Sequence, residues 1–157
     1  MKTLTYIVVL LAGSATYAGE AINGETSSLS STRTWATGSD SGYYIYSSEG
    51  EIAWKTGPFD DMAIECHGAG FWTSQEITGD GICIFGEEPD RWTVVQEMPE
   101  DSNLWADKSN NSQRQGVWKV VNGTGRFAGM TGFGTFVARD AAGGGRVTEV
   151  DGEIELR

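Results

Sequence analysis

Short runs of aromatic and β-branched residues recur along most of the chain, and each run is bounded by Gly, Asp, Asn or Pro. Such runs, bounded by turn residues, are typical of antiparallel strands, and no segment carries the spacing of an amphipathic helix of useful length. The pattern therefore predicts an all-β fold with eight strands, at 32–37, 43–48, 62–73, 81–85, 91–97, 116–121, 132–138 and 146–156.

Glycine interrupts this pattern most densely between residues 123 and 136, where aromatic and β-branched residues otherwise alternate. A residue without Cβ can turn sharply or allow two backbones to approach, so glycine inside a strand pattern marks a bulge or a barrel corner. We expect this segment to bend so that the sheet closes on itself. The sequence therefore predicts a closed barrel, and an open two-layered sandwich would contradict it.

The first 18 residues have the layout of a secretory signal peptide. A basic start at Lys2 precedes an apolar run over 4–12 and a small-x-small site at 16–18. We predict a cleaved signal peptide over 1–18, a flexible polar lead-in over 19–31 and one barrel domain over 32–157. The apolar run is too short to span a bilayer and no longer one follows, so we expect a secreted or periplasmic protein without membrane insertion.

The charge balance and the two cysteines narrow the class further. The chain has a net charge of −11, which repels nucleic acid and anionic lipid. In an oxidising compartment Cys66 and Cys83 are expected to form a disulfide. Two thiols with only His67 to add make a poor metal site, and no nucleotide or calcium loop is present in the sequence, so we expect no metal and no cofactor.

The connection from Met98 to Gln113 is the longest that the pattern predicts. Loops of this length in compact domains are often functional or disordered. Leu104 and Trp105 are apolar residues in its middle, which favours a loop that folds back onto the barrel mouth. A loop without a fixed position is the alternative.

Two stretches resemble a known family of barrels. Residues 116–121 (Gly-Val-Trp-Lys-Val-Val) followed by 122–129 (Asn-Gly-Thr-Gly-Arg-Phe-Ala-Gly) resemble a pattern in bacterial secreted proteins of the allene oxide cyclase and dirigent-like barrel superfamily. Residues 65–68 and 79–83 resemble the paired cysteine strands of those bacterial members. The resemblance covers roughly 35–157.

This resemblance implies an eight-stranded antiparallel calycin-like barrel with a central cavity, assembled as a homodimer or homotrimer. It does not imply one chemistry, because the plant relatives include cyclases and radical-coupling guides. No catalytic residue of the family aligns with a matching motif here, so none is carried over.

The strongest catalytic candidates are Glu65 and His67. They are two residues apart on a predicted strand, so both side chains lie on one face. A carboxylate beside an imidazole is a workable acid/base pair if that face lines a dry cavity, and an ordinary surface pair if it meets water. The sequence leaves this open, because Ile64, Cys66 and Trp72 make the opposite face equally apolar.

Aromatic residues are plentiful, with six tryptophans in the chain. They serve either core and oligomer packing or the lining of a cavity for a flat or hydrophobic ligand. Arg126, in the glycine-rich stretch, could anchor a ligand carboxylate or pair with one of the many acidic residues. The ligand-binding candidates are Trp72, Trp54, Tyr44, Tyr46, Trp105 and Arg126.

Three functions fit these observations. The first is a barrel that binds a small hydrophobic or aromatic molecule in its cavity without changing it. The second is a cofactor-independent cyclase or isomerase in which Glu65 or His67 moves a proton. The third is a structural or interaction protein whose barrel interior is filled by side chains.

Overall fold

Eight strands follow one another in the computed structural model, which describes residues 19–75, 77–98 and 113–157. Each strand pairs antiparallel with the next, and β8 pairs with β1, so the sheet closes into a barrel. The all-β, eight-stranded antiparallel barrel expected from the sequence is confirmed. The strands are β1 (Glu20–Ala36), β2 (Ser41–Thr56), β3 (Met62–Thr73), β4 (Ile77–Glu87), β5 (Asp90–Met98), β6 (Gln113–Gly123), β7 (Thr131–Asp140) and β8 (Gly145–Glu155).

Closure depends on the pairing of the first strand with the last. β1 and β8 are in register from Glu20 opposite Ile154 to Leu29 opposite Gly145. From Asn23 to Leu29, β1 also pairs with β2, so its backbone groups are satisfied on both sides. Beyond Leu29, β1 pairs with β2 alone, while β2 stays paired with β3 as far as Ser41 opposite Thr73.

The predicted flexible lead-in over 19–31 is wrong, because β1 begins at Glu20. Ile22, Gly24 and Thr26 face inward and are buried, so this stretch alternates as a strand does. Its small polar composition resembles that of a linker, but pairing with β2 and β8 decides its structure. The predicted signal peptide over 1–18 lies outside the described residues.

The glycine-rich segment also differs in detail from the expectation. β6 runs to Gly123, a short 3-10 turn covers Gly125–Phe127, and β7 starts at Thr131. Gly125 and Gly129 have positive φ angles of 53° and 78°, which glycine adopts without strain. The segment is therefore the connection between two neighbouring strands, and the barrel closes elsewhere, between β1 and β8.

Large rings inside the barrel lie against inward-facing glycines. Gly134 and Gly152 are directly opposite each other on β7 and β8, and Trp118 of β6 lies over them. A Cβ atom on Gly134 would lie 2.6 Å from Trp118 Cζ2. The indole Nε1 of Trp118 donates to the backbone oxygens of Thr135 and Asp151, at 3.1 Å each. Glycine thus creates the space that the ring fills.

One end of the barrel is filled with aromatic side chains. The rings of Phe85 and Trp92 stack with centroids 4.2 Å apart, and Phe59 lies 5.7 Å from both Trp92 and Phe127. Trp54 completes the group, 5.1 Å from Phe59. This end, where the β2–β3, β4–β5 and β6–β7 connections lie, is called the closed end. The opposite end is called the cavity end.

The two cysteines are bonded inside the barrel. Cys66 of β3 and Cys83 of β4 are opposite each other in register and form a disulfide. Their exposed fractions are 8% and 0%, so both sulfur atoms belong to the core. The expected disulfide is confirmed.

We expect Gly134→Ala to lower the free energy of unfolding by about 1–3 kcal/mol, because the new methyl group would overlap Trp118 and the backbone of β8. Gly145→Ala is the matched control, since its Cβ would meet nothing closer than 3.4 Å. Urea denaturation measures both. Equal stability of the two variants would contradict the packing argument.

Replacing both cysteines by alanine should lower the free energy of unfolding by about 3 kcal/mol. The reason is that the disulfide restricts the unfolded chain to fewer conformations and so destabilises the unfolded state. The two cysteines are 17 positions apart, which sets the size of the loop that the disulfide closes. Denaturation of the double variant measures the loss. An unchanged urea midpoint would show that the disulfide does not stabilise the fold.

Candidate functional site

A small cavity lies inside the cavity end of the barrel. Its volume is about 50 Å³, and all eight strands contribute to its wall. Such a volume is enough for a few water molecules or for one small chemical group. The apolar part of the wall comes from Ile64, Phe85, Met98, Phe136, Ala138 and Val150.

Two tyrosines of β2 form one side of this cavity. Tyr44 and Tyr46 both face inward, with ring centroids 6.4 Å apart and ring planes inclined by 26°. The Tyr44 hydroxyl donates to the backbone oxygen of Thr78 at 3.2 Å. Tyr44 is 6% exposed, so its ring belongs to the interior while its hydroxyl is satisfied.

A surface of four inward glycines receives these two rings. Gly68 and Gly81 are opposite each other on β3 and β4, as are Gly70 and Gly79. A Cβ on Gly79 would lie 2.7 Å from the Tyr44 hydroxyl, and one on Gly81 would lie 2.6 Å from the Tyr46 hydroxyl. Residues 79–81 lie within β4, and these close contacts leave no room for side chains on its two inward glycines.

Two arginines face the tyrosines across the cavity. Arg114 lies near the start of β6 and Arg146 near the start of β8, and both line the cavity. Arg146 donates from Nη2 and Nε to Asp140 Oδ1 at 3.1 and 3.4 Å, and its guanidinium lies 5.8 Å from the Tyr46 ring centroid. The side chain of Arg146 is 11% exposed, so its guanidinium is largely shielded from water, whereas that of Asp140 is 43% exposed.

Burial changes the titration of several of these groups. It raises the pKa of Tyr44 from 10.0 to about 12, and it also raises the pKa of Tyr46. Burial lowers the pKa of Arg114, and the positive charge of Arg146 lowers it further. The cavity therefore has a dry wall in which charge is costly, and two cations lie on it.

The predicted catalytic pair lies on the outside of the barrel. Glu65 Oε1 and His67 Nε2 are 2.6 Å apart, with side chains 51% and 48% exposed. Ile64 and Cys66 occupy the inward positions of this strand. The sequence could not decide which face is inside, and the structure places Glu65 and His67 in water, away from the cavity. Their catalytic role stays a prediction.

The predicted ligand-binding residues are divided between the two ends. Tyr44 and Tyr46 line the cavity. Trp54 packs in the aromatic group at the closed end, and Arg126 is exposed at that same end with its guanidinium 4.7 Å from the Phe127 ring centroid. Trp72 lies beside Gly42 near the other rim. Trp105 lies outside the described residues.

Arg114 and Arg146 were missed by sequence reasoning, although a signal for both exists. Trp118 and Val120 face inward on β6. Because side chains alternate between the two faces of a strand, Arg114 lies on the same inward face. Val150 and Ile154 place Arg146 inward on β8 in the same way. Because arginine is rarely buried, the pattern alone did not single them out.

The described part of the chain contains no group of three or more His, Cys, Asp or Glu side chains arranged to hold a metal ion. It also contains no helix with the length and apolar character needed to cross a membrane. Compared with protein-family models, curated proteins and solved structures, the chain matches none.

We expect the free energy of unfolding to fall as the pH rises from about 10 to about 12, because folding raises the pKa of Tyr44. The folded state then holds this proton more tightly than the unfolded state, so its contribution is complete below pH 10 and is lost above it. Urea denaturation of wild type and Tyr44→Phe between pH 9 and pH 12 measures the effect. The variant should lose less stability over this range, and identical slopes would contradict the assignment.

Proposed function

We propose that this protein is a secreted or periplasmic barrel that binds a small hydrophobic or aromatic molecule at the cavity end of its interior. The observation that carries the proposal is the convergence of a tyrosine pair and two arginines on a cavity whose wall is otherwise largely apolar. Small-molecule sites commonly combine an apolar wall with a few polar groups that fix orientation.

The contrast between the two ends supports this proposal. At the closed end, five aromatic side chains fill the barrel, and Phe85, Trp92 and Phe127 are at most 2% exposed. At the cavity end, four inward positions hold glycine and the space is not filled. A barrel stabilised only by packing gains nothing from a cavity lined with buried cations, because burying charge is costly.

The enzyme alternative, a cofactor-independent cyclase or isomerase, receives less support. Its proposed acid/base residues, Glu65 and His67, are half exposed on the outer face of β3. A proton transfer requires these groups within hydrogen-bonding reach of the substrate. A ligand in the cavity would be separated from them by the sheet itself.

The alternative of a filled structural barrel rests on one specific observation. A cavity of about 50 Å³ is small beside the roughly 300–1,000 Å³ of drug-sized ligand pockets. Only one small group of a ligand therefore fits in the cavity, and the rest of the ligand must lie towards the rim of the barrel. If nothing enters, the barrel acts through its outer surface.

The same proposal includes membership of the allene oxide cyclase and dirigent-like superfamily. Its support is the closed eight-stranded antiparallel order and the disulfide between neighbouring strands β3 and β4. The disulfide also suits an oxidising compartment, which supports secretion. Assembly as a homodimer or homotrimer stays a prediction.

Native mass spectrometry of the protein purified from its own host tests ligand binding directly. We expect the measured mass to exceed that of the chain by the mass of a retained small molecule. The same spectrum reports the number of subunits. A protein purified without any bound molecule would favour the filled structural barrel.

A matched pair of variants locates the ligand. Ala138→Val adds two methyl groups to the cavity wall and should abolish retention, whereas Ala53→Val adds them at an exposed outer position of β2 and should not. Thermal unfolding of both variants checks that the barrel is intact. Equal retention by the two would place the ligand outside the cavity.

A further inference from the structure

Arg114 lines the cavity, and its hydrogen-bonding groups are only partly satisfied there. Its Nε atom is buried and has no hydrogen-bond partner among the residues described in 19–75, 77–98 and 113–157. A buried donor without an acceptor is costly. Such a group in a native cavity calls for an explanation.

The carboxylate of Asp140 attracts the guanidinium of Arg114, but Asp140 also forms an ion pair with Arg146. Arg146 is a second cation on the same wall, and the nearby carboxylate of Asp140 accepts both hydrogen bonds that Arg146 donates to it. Asp80 also borders the cavity, but it is exposed and lies at an outward position of β4 between inward-facing Gly79 and Gly81. Arg114, Arg146 and Asp140 together leave one positive charge.

The strand register places β7, with the small residue Ala138, between the strands that carry the two arginines. Arg114 is opposite Ala138 on β7, Ala138 is opposite Thr148 on β8, and Arg146 lies two residues from Thr148. Adjacent strands are about 4.8 Å apart, so the backbones of β6 and β8 are separated by about 10 Å here. Ala138 contributes only a methyl group, and it lines the same cavity as Arg114 and Arg146.

We propose that this site binds the carboxylate of a small, flat organic acid, with the carboxylate between Arg114 and Arg146 and the ring or chain of the ligand against Tyr44 and Tyr46. This inference rests on the proposed function, to which it adds the chemical class of the ligand. The guanidinium of Arg114 presents a planar pair of donors that matches the two oxygens of a carboxylate.

The size of the cavity favours a carboxylate over a phosphate. A volume of about 50 Å³ suits a planar group with two oxygens better than a tetrahedral group with its own hydration shell. The surface of the protein gives no general attraction for anions, because the net charge is −11. Selectivity for a negative group must therefore come from the buried arginines.

The test compares ligands that have the same ring and differ in charge. The wild-type protein is titrated with benzoate, with benzamide and with inorganic phosphate, and binding is followed by NMR of the Arg114 Nε–H resonance. We expect benzoate to shift this resonance and to bind at least about tenfold more tightly than benzamide, since the amide lacks the charge-assisted hydrogen bonds.

Two variants assign the effect to the interior. Arg114→Gln should weaken benzoate binding by about tenfold or more. Arg139→Gln removes a guanidinium from the next position on β7 after Ala138, but there the side chain is 41% exposed and pairs with Glu149, so benzoate binding should not change. Circular dichroism confirms that both variants fold, and the resonance of Arg114 in the wild type gives a measurement that depends on no variant.

The outcomes separate this inference from the function on which it rests. Equal binding of benzoate and benzamide, or no binding of benzoate, would overturn the carboxylate assignment. A neutral molecule retained by the protein from its host would overturn it as well while leaving ligand binding intact. Tighter binding of phosphate than of benzoate would replace the carboxylate by a phosphate group. A loss of benzoate affinity in Arg139→Gln equal to that in Arg114→Gln would mean that the anion binds outside the barrel.

Discussion

The fit of large rings against inward glycines is the constraint on which the interior of this barrel depends. An eight-stranded barrel has a narrow interior, so a large ring needs free space on the strands beside it. Trp118 lies over Gly134 and Gly152, and Tyr46 lies over Gly68 and Gly81. In each case, the backbone of two strands becomes the wall against which one ring packs. The position of each glycine therefore decides where an aromatic side chain is accommodated.

This arrangement has different results at the two ends. At the closed end, rings also pack on rings, and Trp54, Phe85 and Trp92 have centroids 4.2 to 6.1 Å apart. At the cavity end, glycine occupies four inward positions of β3 and β4, while only two tyrosine rings lie against them. The space that is not filled there forms the cavity. The densely packed aromatic group and the proposed ligand site thus lie at opposite ends of one barrel.

The charged residues differ in how far they are exposed to water. Glu65 and His67 pair in water, where such a contact contributes little to stability. Arg146 and Asp140 pair at the rim, with Arg146 largely shielded from solvent. Arg114 lines the cavity with a buried Nε atom that has no hydrogen-bond partner among the described residues. Its placement gives the cavity a positive interior in a protein whose overall charge is strongly negative.

The sequence by itself determined the class of fold, the number of strands and the disulfide. Alternation, turn residues and two cysteines are local signals that each indicate one structure. The local signals were misleading for residues 19–31, because a polar stretch of this kind is typical of a linker. Its strand structure depends on hydrogen bonds to β2 and β8, which lie far away in the sequence.

Only the tertiary structure decided which face of each strand is inside. A shift of one residue exchanges the two faces, and β3 is apolar on both, so its pattern could not choose between Ile64 with Cys66 and Glu65 with His67. The closure of the sheet turned Glu65 and His67 outward and brought Arg114 and Arg146, 32 positions apart in the numbering, to one cavity. The candidate site comes from cross-strand register, a long-range property that depends on the contacts of all eight strands together.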